Sequence, residues 1–595
     1  MRRTWTWHFD LPPDALWPVL ADTNRFNEAM GLPTYVLDEA PQPDGTVRRF
    51  GHGKAAGFTL EWEEKPYEWI AGRHFRQTRL FSKGPFRRFG PVFDLEPEGT
   101  GSRVTYTLEW EPLTLTGRLF GARLAAKAGE AISKRILQAV AFLKGERATV
   151  FDLPPPSLPE GARVRAATLA DTVDRSPYGN RLGRRLSDYV LTGMASDLAP
   201  LRPKRLAGEL AVSERAAIEA CLAAAKAGLL TMSWDLLCTS CRGPAAGVAS
   251  LGDLPRGAHC PSCNIDYERD FERNVELAFS PSPAIRPLGQ GAYCLSGPMM
   301  TPHVAVQLLL APGERRTVPV DLPAGPYRLR TLHPGRHTDI DHAGGVFPSL
   351  RADADGVTAM PGADGTITFA NDAPFELAVL IEDRRWSRDA LTAPEVITLQ
   401  AFRDLFAEAA LRPGDEAAIG QVALLFSDLR GSTALYERVG DSVAFNIVRD
   451  HFAFLAAIVR DHNGAVVKTI GDAIMASFGD PADALRAALA MQARVAEFNR
   501  DRGAAVGGIV IKLGVHAGPS VIVNLNDRLD YFGSTVNMAA RLQGQSGGGD
   551  IVVSRAIADD PAVKPLLATQ VTHEESVALK GFDRPVGFTR IVAPN

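Results

Sequence analysis

The sequence predicts a multidomain α+β chain, and three observations carry that reading. Its 595 residues are too many for one hydrophobic core, which stops growing at about 250–300 residues. Alternating strand-like runs in the first quarter close on one long alanine-rich helical pattern. Apolar strand-like runs interleaved with turns and helical patterns then fill the C-terminal part. Composition is that of an ordinary globular protein, 45% hydrophobic and 23% charged. A net charge of -4 argues against nucleic acid as the main partner, because phosphate neutralisation needs clustered Lys and Arg. No apolar run approaches the roughly 20 residues of a membrane span, and "MRRTWTWHFDLPPD" has no apolar signal-peptide core. The expectation is a cytoplasmic protein with no membrane span and no nucleic-acid partner.

Residues 1–148 open with the strand "TWTWHF" and a helix at "LPPDALWPVL", followed by strands such as "FTLEWEE", "HFRQTRLF" and "RVTYTLEWEP". The long helix "GRLFGARLAAKAGEAISKRILQAVAFL" closes the segment. This order resembles the START-like (SRPBCC, helix-grip) family. The resemblance implies a curved antiparallel sheet around the C-terminal helix and a pocket for an apolar small molecule; a packed scaffold without ligand is the alternative.

Residues 149–160 read as a proline-rich linker, from "FDLPPPSLPEGA". Residues 161–270 combine a helical segment with a cysteine cluster. Cys238, Cys241, Cys260 and Cys263 give C-x2-C-x18-C-x2-C, which in a chain without a signal peptide points to metal, not disulfides. Thiolates on two tight turns converge tetrahedrally on Zn²⁺, and four sulfur ligands leave no open position, so the zinc ribbon reads as structural. Cys221 and Cys294 read as core residues. The basic runs "RLGRRL" and "LRPKRL" read as solvated helix faces, since no recognition helix stands out. Residues 271–388 are short strands between Pro/Gly turns, a β-rich, sandwich-like domain without evident chemistry. Residues 389–415 read as an amphipathic linker helix with Val396, Leu399, Phe402 and Phe406 on one stripe. That stripe either packs on its own chain or sets the orientation of two protomers.

The C-terminal segment, 416–595, carries four quotable runs: "VALLFSDLRGSTALYERVGD", "VVKTIGDAIMASF", "VIKLGVHAGP" and "LDYFGSTVNMAARLQ". In this order they resemble class III nucleotidyl cyclases. The resemblance implies a ferredoxin-like α/β domain that works as a homodimer with active sites at the interface.

Cyclising a nucleoside triphosphate requires in-line attack of the ribose 3′-hydroxyl on the α-phosphate. The site therefore needs two divalent cations, Mg²⁺ or Mn²⁺, and carboxylates to hold them. Asp428, just past "VALLF", and Asp472, on the "IGDA" turn, suit that role, and the family adds the backbone carbonyl of Leu429. Gly431, Ser432 and Thr433 open a helix whose free N–H groups suit a triphosphate. Asn537 and Arg541 lie four apart on one helix face; the family assigns them to ribose orientation and to the transferring phosphate. Lys468 donates only and Asp530 accepts only, which matches the adenine edge and opposes guanine. Many family members have Arg where this chain has Lys512, so a phosphate contact there would be a point charge instead of a fork. By the family pattern the metal carboxylates come from one protomer and Lys468, Asp530, Asn537 and Arg541 from the other.

His516 reads as a packed strand residue, and no GxxxxGK[ST] loop is present. The leading reading is an adenylate cyclase acting on ATP under control of upstream domains. A degenerate nucleotide-binding dimerisation module and a guanylate cyclase are the alternatives.

Overall fold

The computed structural model describes residues 1–592 apart from 44–45, 56–57, 240–242, 261–264, 272–273, 290, 292, 295–296, 386–389, 411–415, 502–507, 526–527 and 583. At the N-terminus, strand Arg2–Phe9 pairs with Gly101–Pro112, which pairs in turn with Phe86–Glu98. The sheet continues through Arg79–Lys83, Phe58–Glu64, Val47–Ala55 and Leu37–Pro41. Helix Leu115–Leu143 packs on it, its first turn capped by Thr114, which accepts the Gly117 N–H at 3.0 Å. Ala125, Ile132, Ile136 and Ala139 recur at helical spacing and share one core with Phe93, Leu95, Val104 and Trp110 of the sheet. This is the sheet-on-helix arrangement that the order of elements implied.

The strand-rich stretch after residue 270 does not stand apart from that sheet. Strand Val304–Leu310 pairs with Glu68–Ile70, setting Val306 opposite Ile70, so the described residues include one continuous sheet of thirteen strands. A second sheet, Arg315–Pro319, Thr366–Asn371, Ser349–Asp353 and Gly356–Met360 in spatial order, packs over its far end. Val306, Leu308, Leu329 and Ile381 meet Leu350, Ile367 and Phe369 in the apolar layer between the two.

Helices Ala162–Arg175, Gly183–Thr192, Pro203–Glu209 and Glu214–Ala227 form the central region. The last has clear local signals: Ser213 accepts the Ala216 N–H at 3.2 Å, and Gly228, at φ +90°, ends the helix in the left-handed conformation. Cys238 follows strand Leu230–Leu237, and Cys260 ends strand Gly257–Cys260. Both are buried in one core, whereas Cys241 and Cys263 lie outside the described residues. Among the described residues no group of three His, Cys, Asp or Glu side chains is placed to hold a metal. Cys221 and Cys294 are fully buried.

The single linker helix expected over 389–415 is two helices, Ala393–Ile397 and Gln400–Ala410, the latter named α1. Thr398 Oγ1 donates back to the carbonyls of Pro394 at 3.1 Å and Glu395 at 2.9 Å, an alternative to continuing the helix. Val396, Leu399 and Phe402 are buried. Phe402 meets Trp234 edge-on at 5.9 Å and stacks on Phe406 at 6.0 Å. Val396, Leu399 and Phe402 of the apolar stripe are therefore covered by the chain's own structure, and Phe406 is half-buried.

Among the described residues the C-terminal domain has an eight-stranded sheet with helices. Its strands are β1 (Glu416–Leu429), β2 (Gly464–Ile470), β3 (Ala473–Phe478), β4 (Ile511–Leu525), β5 (Arg528–Phe532), β6 (Asp550–Ser554), β7 (Val571–Val577) and β8 (Val586–Val592). Their order is β2-β3-β1-β4-β6-β8-β7, with β5 paired to β4. The helices include α2 (Ser432–Val439), α3 (Asp441–Asp461), α4 (Pro481–Asp501) and α5 (Ser534–Gln543), with two single-turn helices, Arg555–Ala558 and Lys564–Leu567, after β6. Ala423 and Leu425 of β1 pack with Ile447, Leu455 and Ile458 of α3 and Leu485 of α4. Leu424 and Phe426 take the opposite face, in the core that also holds Ala539 of α5 and Phe402 of α1. The two-residue period of a strand then sends Asp428 to that second face. Helix α3 is long and apolar enough to cross a membrane, but its Ala444, Ile447, Leu455, Ile458 and Val459 are buried in this domain's core.

His451 of α3 is fully buried with neither ring nitrogen hydrogen-bonded. Burial holds its pKa down at about 4, from an ordinary 6.5. Between those values the unfolded chain takes up a proton that the folded chain refuses. Stability therefore falls as pH drops through 6.5, and the loss is complete near 4. In urea titrations His451→Leu should lose less stability than wild type over this range, by on the order of 3 kcal/mol. Identical pH slopes would rule out the histidine as the cause.

Candidate active site

Two carboxylates are brought side by side by β1 and the β2–β3 turn. Asp428 is the penultimate residue of β1, opposite Lys512 of β4. Asp472 sits in the turn after Gly471, whose φ of +62° is in the left-handed region that favours glycine. Ser427 Oγ accepts the Ile474 N–H at 3.2 Å and so ties β1 to the strand that leaves the turn. Burial, and then the charge of Asp472, raise the pKa of Asp428, while Lys512 opposes them. Asp472 Oδ2 is buried without a hydrogen-bond partner among the described residues. A repelling carboxylate pair with an orphaned buried oxygen fits a hard divalent cation, which would satisfy both groups. The Leu429 carbonyl lies next in the chain as a further oxygen donor. Lys512 stands across the strand pair from Asp428, beside the carboxylates.

The second cluster lies on the same face. Phe426 is registered with Met475, and Met475 with Lys468, so Lys468 projects on the side of Asp428. The β4–β5 hairpin brings Asp530 to it, with Lys468 Nζ 2.5 Å from Asp530 Oδ2. The other oxygen, Oδ1, accepts the Tyr531 N–H at 2.8 Å. The Asp530 side chain is 9% exposed and that of Lys468 36%, so the lysine is the open side of the pair.

Gly431, at φ +71°, precedes α2, and Ser432 and Thr433 form its first turn. The Arg430 N–H donates to the Val510 carbonyl at 2.9 Å and holds this loop to the strand bearing Lys512. Asn537 and Arg541 both lie on the exposed side of α5, and neither has a side-chain partner among the described residues. Within one chain, then, the fold joins Asp428, Asp472 and Lys512, and joins Lys468 with Asp530, while Asn537 and Arg541 face outward. His516 is a packed residue: Nδ1 lies 2.8 Å from Ser554 Oγ, and burial holds its pKa down at about 4.

Two contacts have no signature in the sequence. Gln400 Oε1 accepts the Val466 N–H at 2.7 Å, and Arg403 Nη1 donates to the Leu529 carbonyl at 2.7 Å. Polar residues on an amphipathic helix ordinarily face solvent, and nothing local distinguishes these two.

Residues 415–589 match the family model described as adenylate and guanylate cyclase catalytic domain. Residues 4–141 match one described as polyketide cyclase/dehydrase and lipid transport, and residues 171–291 match a family of unknown function. An adenylate cyclase of Anabaena cylindrica is 28% identical over 190 residues, 30% of this chain and 38% of that protein. An adenylate cyclase of Lachancea kluyveri is 33% identical over 162 residues, 24% of this chain and 9% of that protein. The match thus spans well under half the length of either relative. Among solved structures, the adenylyl cyclase CyaB from P. aeruginosa is 23% identical, with a TM-score of 0.28, over 30% of this chain and 97% of that chain.

Proposed function

We propose that this chain, which carries an adenylate and guanylate cyclase catalytic domain at residues 415–589, converts ATP to 3′,5′-cyclic AMP and pyrophosphate. The observation that carries the choice of base is the 2.5 Å pairing of Lys468 with Asp530. Adenine offers an acceptor at N1 and a donor at its 6-amino group, and this pair supplies the complementary donor and acceptor. Guanine offers the reverse and would leave both protein groups unpaired, a mismatch worth up to about 10⁴-fold in selectivity.

Two Mg²⁺ or Mn²⁺ ions on Asp428, Asp472 and the Leu429 carbonyl would supply activation of the ribose 3′-hydroxyl and charge neutralisation at the α-phosphate. The N–H groups of Gly431, Ser432 and Thr433 hold the triphosphate at the start of α2. Lys512 adds a point charge beside the carboxylates. The Asn537 amide orients the ribose for in-line attack, and the Arg541 guanidinium stabilises charge on the transferring phosphate. Both of these project away from their own chain, which supports a homodimer in which they complete the partner's site.

The N-terminal domain, matched by the lipid-transport family model, is the proposed sensor of an apolar small molecule. A cavity of about 410 Å³ lies where its sheet meets the β-rich region, lined by Trp69, Val304, Leu309 and Leu380 together with the charged Arg48, Glu63 and Arg330. Cys238, Cys241, Cys260 and Cys263 are the proposed ligands of one structural Zn²⁺ per chain. The proposed compartment is the cytoplasm.

Purified chain incubated with ATP and Mn²⁺ should release cyclic AMP. Asp428→Ala should lower the rate at least about 100-fold, and Lys468→Ala should remove the preference for ATP over GTP. A metal-loaded dimer yielding no cyclic nucleotide would leave the nucleotide-binding module as the better reading. Native mass spectrometry tests the auxiliary assignments: one zinc per chain and a bound apolar molecule are expected, and the bare polypeptide mass would remove both.

A further inference from the structure

Both strands that carry the base-reading pair are edges. β2 ends the sheet order, and β5 pairs only with β4 among the described residues. An edge strand leaves backbone groups without a neighbouring strand, and here α1 supplies the missing partners. Gln400 Oε1 accepts the N–H of Val466, two residues before Lys468, at 2.7 Å. Arg403 Nη1 donates to the carbonyl of Leu529, the residue before Asp530, at 2.7 Å. The same guanidinium stands 5.2 Å from the ring of Tyr531, the residue after Asp530. Arg403 Nε is fixed to the Ile397 carbonyl at 2.9 Å, and Arg403 is 8% exposed.

We propose that Arg403 and Gln400 are positioning residues for nucleobase selection, setting the spacing at which Lys468 and Asp530 meet an adenine edge. The inference rests on the cyclase reading above and adds residues that lie outside its motifs. Two hydrogen bonds to one planar base demand simultaneous placement within a few tenths of an ångström, and an unanchored edge strand does not hold that tolerance. α1 is in turn gripped by the central region. Phe402 meets Trp234, Asp404 accepts from the Tyr178 hydroxyl, and the Lys226 ammonium lies 5.6 Å from the Phe406 ring. Gln400 Nε2 also donates to Asp404 Oδ1 at 2.7 Å, so the residue touching Val466 is linked to the one touching Tyr178.

The test uses the full chain and reads kcat/KM for ATP and for GTP beside the melting temperature. Arg403→Met keeps the packed stem and removes the donors, and should lower the ATP-to-GTP ratio about tenfold, chiefly through the KM for ATP. Arg403→Lys, which keeps a charge and a donor, should recover part of the ratio. Gln400→Ala should move it in the same direction, and serves alone if Arg403→Met does not fold. A structural role only would lower stability and both activities together with the ratio unchanged, and that result overturns the inference. Wild-type chain that neither binds nor turns over ATP would instead overturn the parent reading, and this inference with it.

Discussion

Lys468 and Asp530 meet at 2.5 Å across two edge strands of one sheet, and much of the surrounding construction answers the demands of that pair. A carboxylate with 9% of its side chain exposed needs a partner, because a buried lone charge is strongly unfavourable. The lysine provides it while keeping its own outer side open. Each residue therefore stabilises the other's placement, and in the proposed function the two offer one donor and one acceptor to a planar base. The geometry comes from register: Phe426, Met475 and Lys468 lie in one cross-strand row, and the β4–β5 hairpin folds Asp530 onto its end.

The same face of the sheet joins the central region to the C-terminal domain. Leu424, Phe426, Met475 and Tyr531 belong to one core with Trp234, Leu222 and Phe402, so the central region and the catalytic sheet bury a common apolar surface. At the other end, the Val306–Ile70 pairing makes the N-terminal sheet continuous with the β-rich region.

Legibility in the sequence followed locality. Asp428, Asp472, Lys468 and Asp530 stand in short runs with local signals; Asp472 lies on the turn its run signals, whereas Asp428, read just past its strand, is the penultimate residue of β1, and Asp530, read in a turn, lies on β5. The faces of β1 were not readable, because Val422 to Phe426 are all apolar; only the two cores of the structure show that Leu424 and Phe426, and so Asp428, share a side. The pairing of Val306 with Ile70 left no trace, because strand partners distant in sequence carry no common pattern. The break at Thr398 was hidden by a stripe that stays in phase across it. Arg403 and Gln400 were hidden because the same residue types serve equally well on a solvated face; only the tertiary placement of two sheet edges gives them work. Cys241 and Cys263 lie outside the described residues, so the zinc ribbon rests on its spacing.

Asn537 and Arg541 face away from the chain that carries them, and the whole catalytic scheme depends on a second copy receiving them. The most direct measurement mixes Asp428→Ala with Arg541→Ala and follows cyclic AMP formation. Random pairing makes half the dimers hybrids, each with one intact site of two, so activity should return to about one quarter of wild type. A mixed dimer that forms and stays as inactive as either parent, beside an active wild type, would contradict sites shared between chains.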